Sequence, residues 1–163
     1  MIGKKKIVDI FCRNIPYGVF FMTMAFQIVF SSTLDMRMFS SGILVTPLLN
    51  IGMKEIFKNI YQGPNHFLLE KTIGTGDRPS PHRLSSYGMP SGHSQFAGYC
   101  VGFVCRRCSD SYISVTVTGL GVLLSFSKVF FKYHTVCQTV VGFLVGLFSG
   151  IFWGEIVSEK SID

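Results

Sequence analysis

The segment TVCQTVVGFLVGLFSGIFWG, residues 135–154, contains twenty consecutive residues without a charge. At 1.5 Å per residue a helix of this length is about 30 Å long, which matches the hydrocarbon core of a bilayer. Glycine recurs at every fourth position, at Gly142, Gly146, Gly150 and Gly154. Residues four apart share one helical face, so this face should admit the backbone of a neighbouring helix. The segment predicts a membrane helix packed tightly within a bundle.

The composition of the chain is that of a membrane protein. Its 163 residues are 48% hydrophobic and 15% charged, and the mean hydropathy is +0.41. Average soluble domains carry about 25% charged residues, and the apolar residues here form continuous blocks. We expect a single integral-membrane domain that spans residues 1–163, since this length fits one domain.

Four more apolar blocks precede the quoted segment. They lie at residues 15–32, 38–61, 93–105 and 111–127. The second of them contains Lys54, Glu55 and Lys58, and the third is short for a full crossing. The sequence predicts an all-α fold, a polytopic bundle of about five transmembrane helices.

The amino-terminal block could instead be a secretory signal peptide, because the basic stretch MIGKKK precedes it. Its apolar run is longer than a typical signal-peptide core, and no small-x-small cleavage motif follows before Asp35. We therefore expect residues 15–32 to form a retained first helix.

Two crossings of the membrane should bring several polar side chains to one face. A polar loop, residues 63–93, ends with His93 at the start of a predicted helix. The chain then crosses, turns near residues 106–110, and returns to Lys128 before His134 opens the last helix. The candidates that this topology gathers on one face are Lys71, Arg78, His93, Lys128 and His134.

These residue types are suited to binding a phosphate. Unpaired N–H groups and the positive dipole end of a helix attract anions, and Ser91 and Gly92 lie where the third helix should begin. Ser91 adds a hydroxyl donor, and Gly92 allows an oxyanion to approach the backbone. Arg78 can grip a phosphate with two donors, whereas Lys71 and Lys128 act as point charges. We expect a bound anion with two histidines beside it.

Three sequence blocks in this region resemble the signature of a known family. They are Lys71-x6-Arg78-Pro79, Pro90-Ser91-Gly92-His93 and Ser127-Lys128-x5-His134. In this order they are similar to the motifs of the PAP2 superfamily, membrane lipid-phosphate phosphatases that share their fold with vanadium haloperoxidases. This chain departs from the pattern in two residues, because Lys128 replaces an arginine and Gln138 replaces an aspartate. The spacing between the first two blocks is also slightly short.

The glutamine narrows the resemblance within the family. The runs YGMPSGHSQF, residues 87–96, and FFKYHTVCQTVVG, residues 130–142, resemble dolichyl-diphosphate phosphatases, in which YHTxxQ replaces the aspartate version. That resemblance implies hydrolysis of a polyprenyl (dolichyl) diphosphate to the monophosphate and phosphate. It further implies a multi-pass protein of the endoplasmic reticulum membrane whose site faces the lumen.

The resemblance also implies a role for each matching residue. His134 would attack phosphorus to form a phosphohistidine, Gln138 would accept a hydrogen bond from its other ring nitrogen, and His93 would act as general acid and then base. The implied phosphate-binding residues are Lys71, Arg78, Ser91, Gly92 and Lys128. No metal or other cofactor is expected, because the sequence has no ligand cluster and Cys105-x2-Cys108 has no second pair.

Other functions remain open on the sequence alone. The substrate could be another lipid phosphate, such as phosphatidate or a sphingoid phosphate. The chain could also be a non-catalytic relative that binds lipid phosphates, since Lys128 and Gln138 depart from the family pattern. The lysines of residues 4–6 are expected to meet anionic lipid headgroups or to set topology, and nucleic acid is not an expected partner.

The orientation in the membrane is a further open point. Five crossings would place the basic residues Lys4, Lys5, Lys6 and Arg13 on the catalytic face. A lumenal site then conflicts with the positive-inside rule. Either residues 38–61 do not cross fully, or the site faces the cytosol.

Overall fold

All regular structure in the described part of the chain is helical. The computed structural model describes residues 34–60 and 88–160, with shorter pieces at residues 7–8, 10–11, 14–16 and 18–19. For residues 34, 35, 58 and 157–160 it describes the backbone alone. The complete helices in these ranges are α1 (Leu34–Ile60), α2 (Gly92–Arg107), α3 (Ser111–Phe130) and α4 (Val136–Lys160). These ranges contain no strand, so the predicted all-α fold is confirmed.

The four helices coincide with four of the five predicted segments. α1 begins at Leu34, ahead of the predicted block 38–61, and α4 continues to Lys160. The two predicted helices between them also form, each a little longer than its apolar block. The predicted first segment, residues 15–32, lies mainly outside the described residues.

A side-chain cap explains how α2 is followed so closely by α3. The Asp110 carboxylate accepts hydrogen bonds from the backbone N–H groups of Tyr112 (2.8 Å) and Ile113 (3.3 Å). These are two of the N–H groups that a helix start leaves unpaired, so Asp110 fixes the first turn of α3. Because the connection is this short, α3 runs antiparallel to α2. The Sγ atom of Cys105, near the end of α2, lies 3.8 Å from Oγ1 of Thr118 in α3.

α2 and α4 share the most extensive helix–helix contact in the described structure. A Cβ atom built on Gly146 would overlap the carbonyl oxygen of Gln95, and one on Gly150 would overlap that of Tyr99. The two contacts advance by four residues along both helices, so α2 and α4 are parallel. The predicted close approach of a backbone to this glycine face is confirmed, and the partner is α2.

Small residues on α2 complete this contact from the other side. Cβ atoms on Gly98 and Gly102 would overlap the carbonyl oxygens of Phe143 and Leu147. Gly154, by contrast, faces the side chain of Arg106, where a Cβ would be 3.1 Å away. Contact between the two backbones therefore extends to Phe103 of α2 and Ile151 of α4, and side chains separate the helices towards the end that carries Arg106.

α1 packs against both α2 and α4 through aromatic side chains that also donate hydrogen bonds. The Tyr99 hydroxyl donates to the Phe39 carbonyl (3.0 Å), and the two rings stack at a centroid distance of 5.8 Å. Trp153 of α4 donates from Nε1 to the Met38 carbonyl (2.9 Å). The buried core formed around these contacts contains Ile43, Phe96, Ala97, Tyr99, Phe103 and Leu124. All four helices are thereby held in one bundle.

Two of the described helices are long and apolar enough to cross a membrane. They are Ser111–Phe130 and Val136–Ile156, whereas α1 and α2 do not meet the same criterion. Large apolar side chains on α3, such as Val115, Leu123 and Phe126, are exposed to the outside of the bundle. Apolar exteriors of this extent are unusual in soluble monomers, which indicates a membrane protein.

Candidate active site

The turn that opens α2 is built around Ser91. Its Oγ accepts hydrogen bonds from the Ser94 backbone N–H (3.5 Å) and the Ser94 hydroxyl (3.1 Å). Its carbonyl accepts from the Gln95 N–H at 2.9 Å. Ser91 is completely buried and acts as the N-cap of α2. The geometry therefore gives Ser91 a capping role. That its hydroxyl donates a hydrogen bond to a phosphate stays a prediction from the sequence.

Gly92 occupies the first position of α2, where a backbone N–H has no partner within the helix. None of the hydrogen bonds between described residues uses the Gly92 N–H, and the residue is only half-buried. His93 follows it in the first helical turn and is also half-buried. The beginning of α2 thus presents a backbone donor and an imidazole side by side.

A tight turn between α3 and α4 places the second histidine. The carbonyl oxygen of Lys128 accepts from the backbone N–H groups of Tyr133 (2.9 Å) and His134 (3.2 Å). Lys132, the residue before Tyr133 in this turn, lies in the left-handed region, with φ 56°. The Lys128 side chain is buried, and its Nζ lies 5.8 Å from the centre of the Tyr133 ring, within the range of a cation–π contact. One residue, Lys128, thus fixes the turn by its backbone and supplies a buried cation.

Gln138 and Thr135 form a reciprocal cap at the start of α4. The Thr135 N–H donates to Gln138 Oε1 (3.2 Å), and the Gln138 N–H donates to Thr135 Oγ1 (3.2 Å). This is a capping box, in which a Thr and a Gln three residues later satisfy each other's backbone groups. The capping box accounts structurally for the glutamine in the YHTxxQ run, and the T-x-x-Q spacing was a signal for it in the sequence.

The same glutamine fixes the ring of His134. Nδ1 of His134 lies 3.1 Å from Oε1 of Gln138. Because this Oε1 already accepts from the Thr135 N–H, it is the oxygen of the side-chain amide, and Nδ1 must be the donor. The neutral ring therefore carries its proton on Nδ1 and its lone pair on Nε2. This is the tautomer that a nucleophilic Nε2 requires.

A backbone contact joins the two histidine-bearing segments. The Ser91 N–H donates to the carbonyl oxygen of Gln138 at 3.1 Å, and Gln138 is completely buried. A Cβ atom on Gly142 would lie 2.5 Å from the Ser91 carbonyl oxygen and 3.0 Å from its nitrogen. The start of α2 therefore rests directly on the first turns of α4, with room for no side chain between them.

Asn50 of α1 is a site residue whose contact the sequence did not reveal. Its side chain is buried and donates from Nδ2 to the Pro90 carbonyl (3.2 Å) and to Oε1 of Gln95 (2.7 Å). A polar residue in an apolar block needs a partner, and only the fold identifies Pro90 and Gln95 as the partners of Asn50.

The structure therefore brings together Ser91, Gly92, His93, Lys128, His134 and Gln138. Lys71 and Arg78, the other two predicted phosphate-binding residues, lie outside the described residues. Within the described ranges, no group of three or more His, Cys, Asp or Glu side chains could hold a metal ion.

Comparison with known proteins places this architecture in a family. Residues 38–161 match the family model described as the PAP2 superfamily. The chain is 33% identical over 115 residues to a dolichyldiphosphatase of Saccharomyces cerevisiae, covering 64% of this chain and 48% of the relative. It is 28% identical over 152 residues to dolichyldiphosphatase 1 of Homo sapiens, covering 81% and 57% respectively.

The name of a third relative describes a fusion of two enzymes. It is the palmitoyl-protein thioesterase-dolichyl pyrophosphate phosphatase fusion 1 of Schizosaccharomyces pombe, 25% identical over 153 residues, which cover 87% of this chain and 22% of the relative. The chain thus spans about half the length of the yeast and human relatives. No solved structure matches it significantly. With three quarters of its length matched by the family model, the chain belongs to the PAP2 superfamily.

Proposed function

We propose that this protein is a multi-pass membrane phosphatase that hydrolyses a polyprenyl diphosphate to the monophosphate and inorganic phosphate. Dolichyl diphosphate is the proposed substrate. Membership of the PAP2 superfamily supports the phosphatase class, and the names of the yeast and human relatives support the lipid. The endoplasmic reticulum membrane, which the resemblance to those enzymes implies, is the proposed location.

The observation that carries the proposal is the geometry around His134. Its Nδ1 is held by Gln138, and the backbone of Gln138 is in turn bonded to Ser91 at the start of α2. A nucleophilic histidine must have one nitrogen oriented so that the other faces the substrate. The arrangement supports His134 as the nucleophile, with an anion-binding helix start next to it.

The first chemical step would form a covalent phosphoenzyme. Nε2 of His134 attacks the terminal phosphorus, and the bond from that phosphorus to the bridging oxygen breaks. His93, as general acid, protonates the bridging oxygen, so that the lipid leaves as a monophosphate. Gln138 keeps the proton of the attacking ring on Nδ1 throughout this step.

The second step would regenerate the enzyme. His93, now deprotonated, takes a proton from a water molecule that attacks the phosphohistidine, and the N–P bond breaks. Inorganic phosphate is released and His134 regains its lone pair on Nε2. Water supplies both the oxygen and the proton, so the cycle needs no metal or other cofactor.

Charge stabilisation would come from the groups around the phosphoryl oxygens. Phosphoryl transfer depends mainly on positioning and on neutralising the charge of the equatorial oxygens. The Gly92 N–H and the buried Lys128 ammonium are the described candidates. Lys71, Arg78 and the Ser91 hydroxyl are proposed for the same role on the resemblance alone.

Phosphate release from purified protein in detergent micelles tests the proposal. Dolichyl diphosphate, phosphatidate and sphingosine phosphate are compared in the presence of excess chelator, and His134→Ala is the negative control. We expect release from dolichyl diphosphate with a kcat/KM about 10-fold or more above the other two lipids. An equal or reversed preference contradicts the lipid assignment, and loss of activity in chelator contradicts the metal-free mechanism.

A lipid-phosphate-binding protein without activity is the alternative that this assay also addresses. The replacement of the family's arginine by Lys128 and of its aspartate by Gln138 motivates that alternative. If the unmodified protein releases no phosphate from any of the three lipids, while lipid phosphates still bind to it, the binding function replaces the enzymatic one.

A further inference from the structure

Asn50 connects α1 to the turn that opens α2. Its side chain is only 7% exposed, although it projects from a largely apolar helix. Its Nδ2 donates hydrogen bonds to the Pro90 carbonyl oxygen, at 3.2 Å, and to Gln95 Oε1, at 2.7 Å. Gln95, itself completely buried, donates from Nε2 to the Thr46 carbonyl at 3.4 Å. The network thus begins and ends on backbone carbonyl oxygens.

The two carbonyls fix the direction of every hydrogen bond in the network. A carbonyl oxygen can only accept, so Asn50 must present its NH2 group to Pro90, and Gln95 must present its NH2 group to Thr46. The remaining bond then runs from Asn50 Nδ2 to Gln95 Oε1. Both N–H groups of Asn50 are therefore used. Exchanging the O and N positions of either side-chain amide would break at least one of the three hydrogen bonds.

The turn is consequently held from two opposite sides. On the α4 side, Ser91 is fixed by the Gln138 carbonyl and by the absence of a side chain at Gly142. On the α1 side, Asn50 holds the preceding carbonyl, at Pro90, and its Oδ1 lies 3.4 Å from where a Cβ of Gly92 would be. The backbone that presents the Gly92 N–H is thus clamped between two helices.

We propose that Asn50 is a positioning residue that sets the phosphate-binding geometry of the Pro90–His93 turn. This inference rests on the proposed function and extends it to α1, outside the three sequence blocks that carry the family resemblance. Without the donors of Asn50, the buried Pro90 carbonyl has to find another partner, and the turn shifts relative to His134. A displacement of about 1 Å at a catalytic site can cost about 100-fold in rate.

Replacement by leucine tests this role, because Asn50→Leu keeps the branched outline of the side chain, at a somewhat larger volume, and removes both donors. We expect kcat on dolichyl diphosphate to fall about 100-fold and inhibition by orthovanadate, a phosphate-like oxyanion, to weaken about 10-fold or more. Thr46→Val is the matched control. It removes only the side-chain hydroxyl that bonds the Gly42 carbonyl on the same face of α1, and it keeps the backbone carbonyl that accepts from Gln95. It should therefore change kcat less than about 3-fold. Asn50→Ala is measured in parallel and carries the test if the leucine variant does not fold.

A double-mutant cycle separates positioning from general destabilisation. If Asn50 acts through Gln95, Gln95→Leu should add little to the loss caused by Asn50→Leu, because residues that act as a unit are not additive. Folding of each variant is followed by its melting temperature and its elution as a single species. Wild-type kcat and wild-type orthovanadate inhibition in a folded Asn50 variant would overturn the proposal.

The proposed function can fail separately from this inference. If the unmodified protein releases no phosphate, the positioning role of Asn50 is tested by orthovanadate binding alone. Binding is measured as the protection that orthovanadate gives the protein against thermal unfolding. Protection that is lost in Asn50→Leu and kept in Thr46→Val supports the positioning role. Equal protection in both variants, or none in the unmodified protein, overturns it.

Discussion

The backbone N–H of Ser91 donates a hydrogen bond of 3.1 Å to the carbonyl oxygen of Gln138, across the parallel pair α2 and α4. Ser91 stands two residues before His93, and Gln138 stands four residues after His134. The contact therefore makes one rigid unit of two segments that are far apart in sequence and that each carry a histidine. Changes to the surroundings of this bond should affect catalysis more than comparable changes elsewhere.

Replacement of Gln138 by leucine should reduce kcat about 100-fold. Leucine cannot accept from His134 Nδ1 or from the Thr135 N–H, so the ring loses its fixed tautomer and orientation. Gln138→Glu keeps an oxygen for both contacts, since glutamate also forms capping boxes, and should retain activity within about 10-fold. Steady-state assays on dolichyl diphosphate measure both variants.

Thr135→Ala is the control for the cap itself. It removes the hydroxyl that accepts from the Gln138 N–H and should lower the free energy of unfolding by about 1 kcal/mol, with kcat changed less than about 3-fold. A Gln138→Leu variant with the kcat of the unmodified protein would mean that the ring contact has no part in the reaction.

Gly142→Ala should impair both stability and turnover. The added Cβ would lie 2.5 Å from the Ser91 carbonyl oxygen, so α2 and α4 must separate at the site. Overpacking of this kind costs about 1–3 kcal/mol, and the displaced Ser91 should lower kcat about 10-fold or more. Thermal unfolding in detergent and steady-state assays provide the two measurements.

Two other glycines distinguish a local effect from a general one. Gly150→Ala overlaps the Tyr99 carbonyl, further along the same contact, and should destabilise the protein while sparing kcat in the folded fraction. Gly119 of α3 has nothing within 4 Å of its Cβ position, so Gly119→Ala should be neutral or slightly stabilising. Equal kcat values for the Gly142 and Gly150 variants would argue against close coupling between Ser91 and the chemistry.

Lys128→Met should lower kcat/KM about 100-fold or more, because it removes a buried cation proposed to neutralise the phosphoryl oxygens. Lys132→Met is the matched control, since Lys132 lies in the same turn with an exposed side chain. That variant should keep kcat/KM within about 3-fold at physiological salt. Similar losses in the two variants would indicate a general effect of charge near the site.

The two ends of α3 should lie on opposite sides of the membrane. In a cysteine-free background, Ser109→Cys marks the turn between α2 and α3, and Lys132→Cys marks the turn between α3 and α4; both positions are exposed. A membrane-impermeant maleimide applied to sealed microsomes should label one variant directly and the other only after permeabilisation. Labelling of both from the same side would contradict a transmembrane α3. The outcome also decides whether the site faces the lumen or the cytosol.

The sequence was sufficient for the four described helices and for the glycine contact, because both depend on local periodicity. The uncharged run 135–154 and the four-residue glycine spacing identify α4 and its packing face without knowledge of the fold. The sequence alone could not identify α2 as the partner of that face, and it could not identify the hydrogen bond from Asn50 to Pro90. Such contacts depend on how the helices are placed in space. The capping box of Thr135 and Gln138 was readable from its spacing, whereas the family resemblance directed attention to the missing aspartate.

Covalent capture of the phosphoenzyme shows whether His134 is the nucleophile. Dolichyl diphosphate labelled in its terminal phosphate is mixed with the protein, quenched in alkali within milliseconds, and the adduct is located by peptide mapping. We expect an acid-labile, alkali-stable label on His134 that accumulates in His93→Ala, where hydrolysis loses its base, and is absent in His134→Ala. Undiminished phosphate release by His134→Ala, or a label on another residue, would contradict the role of His134 as the nucleophile.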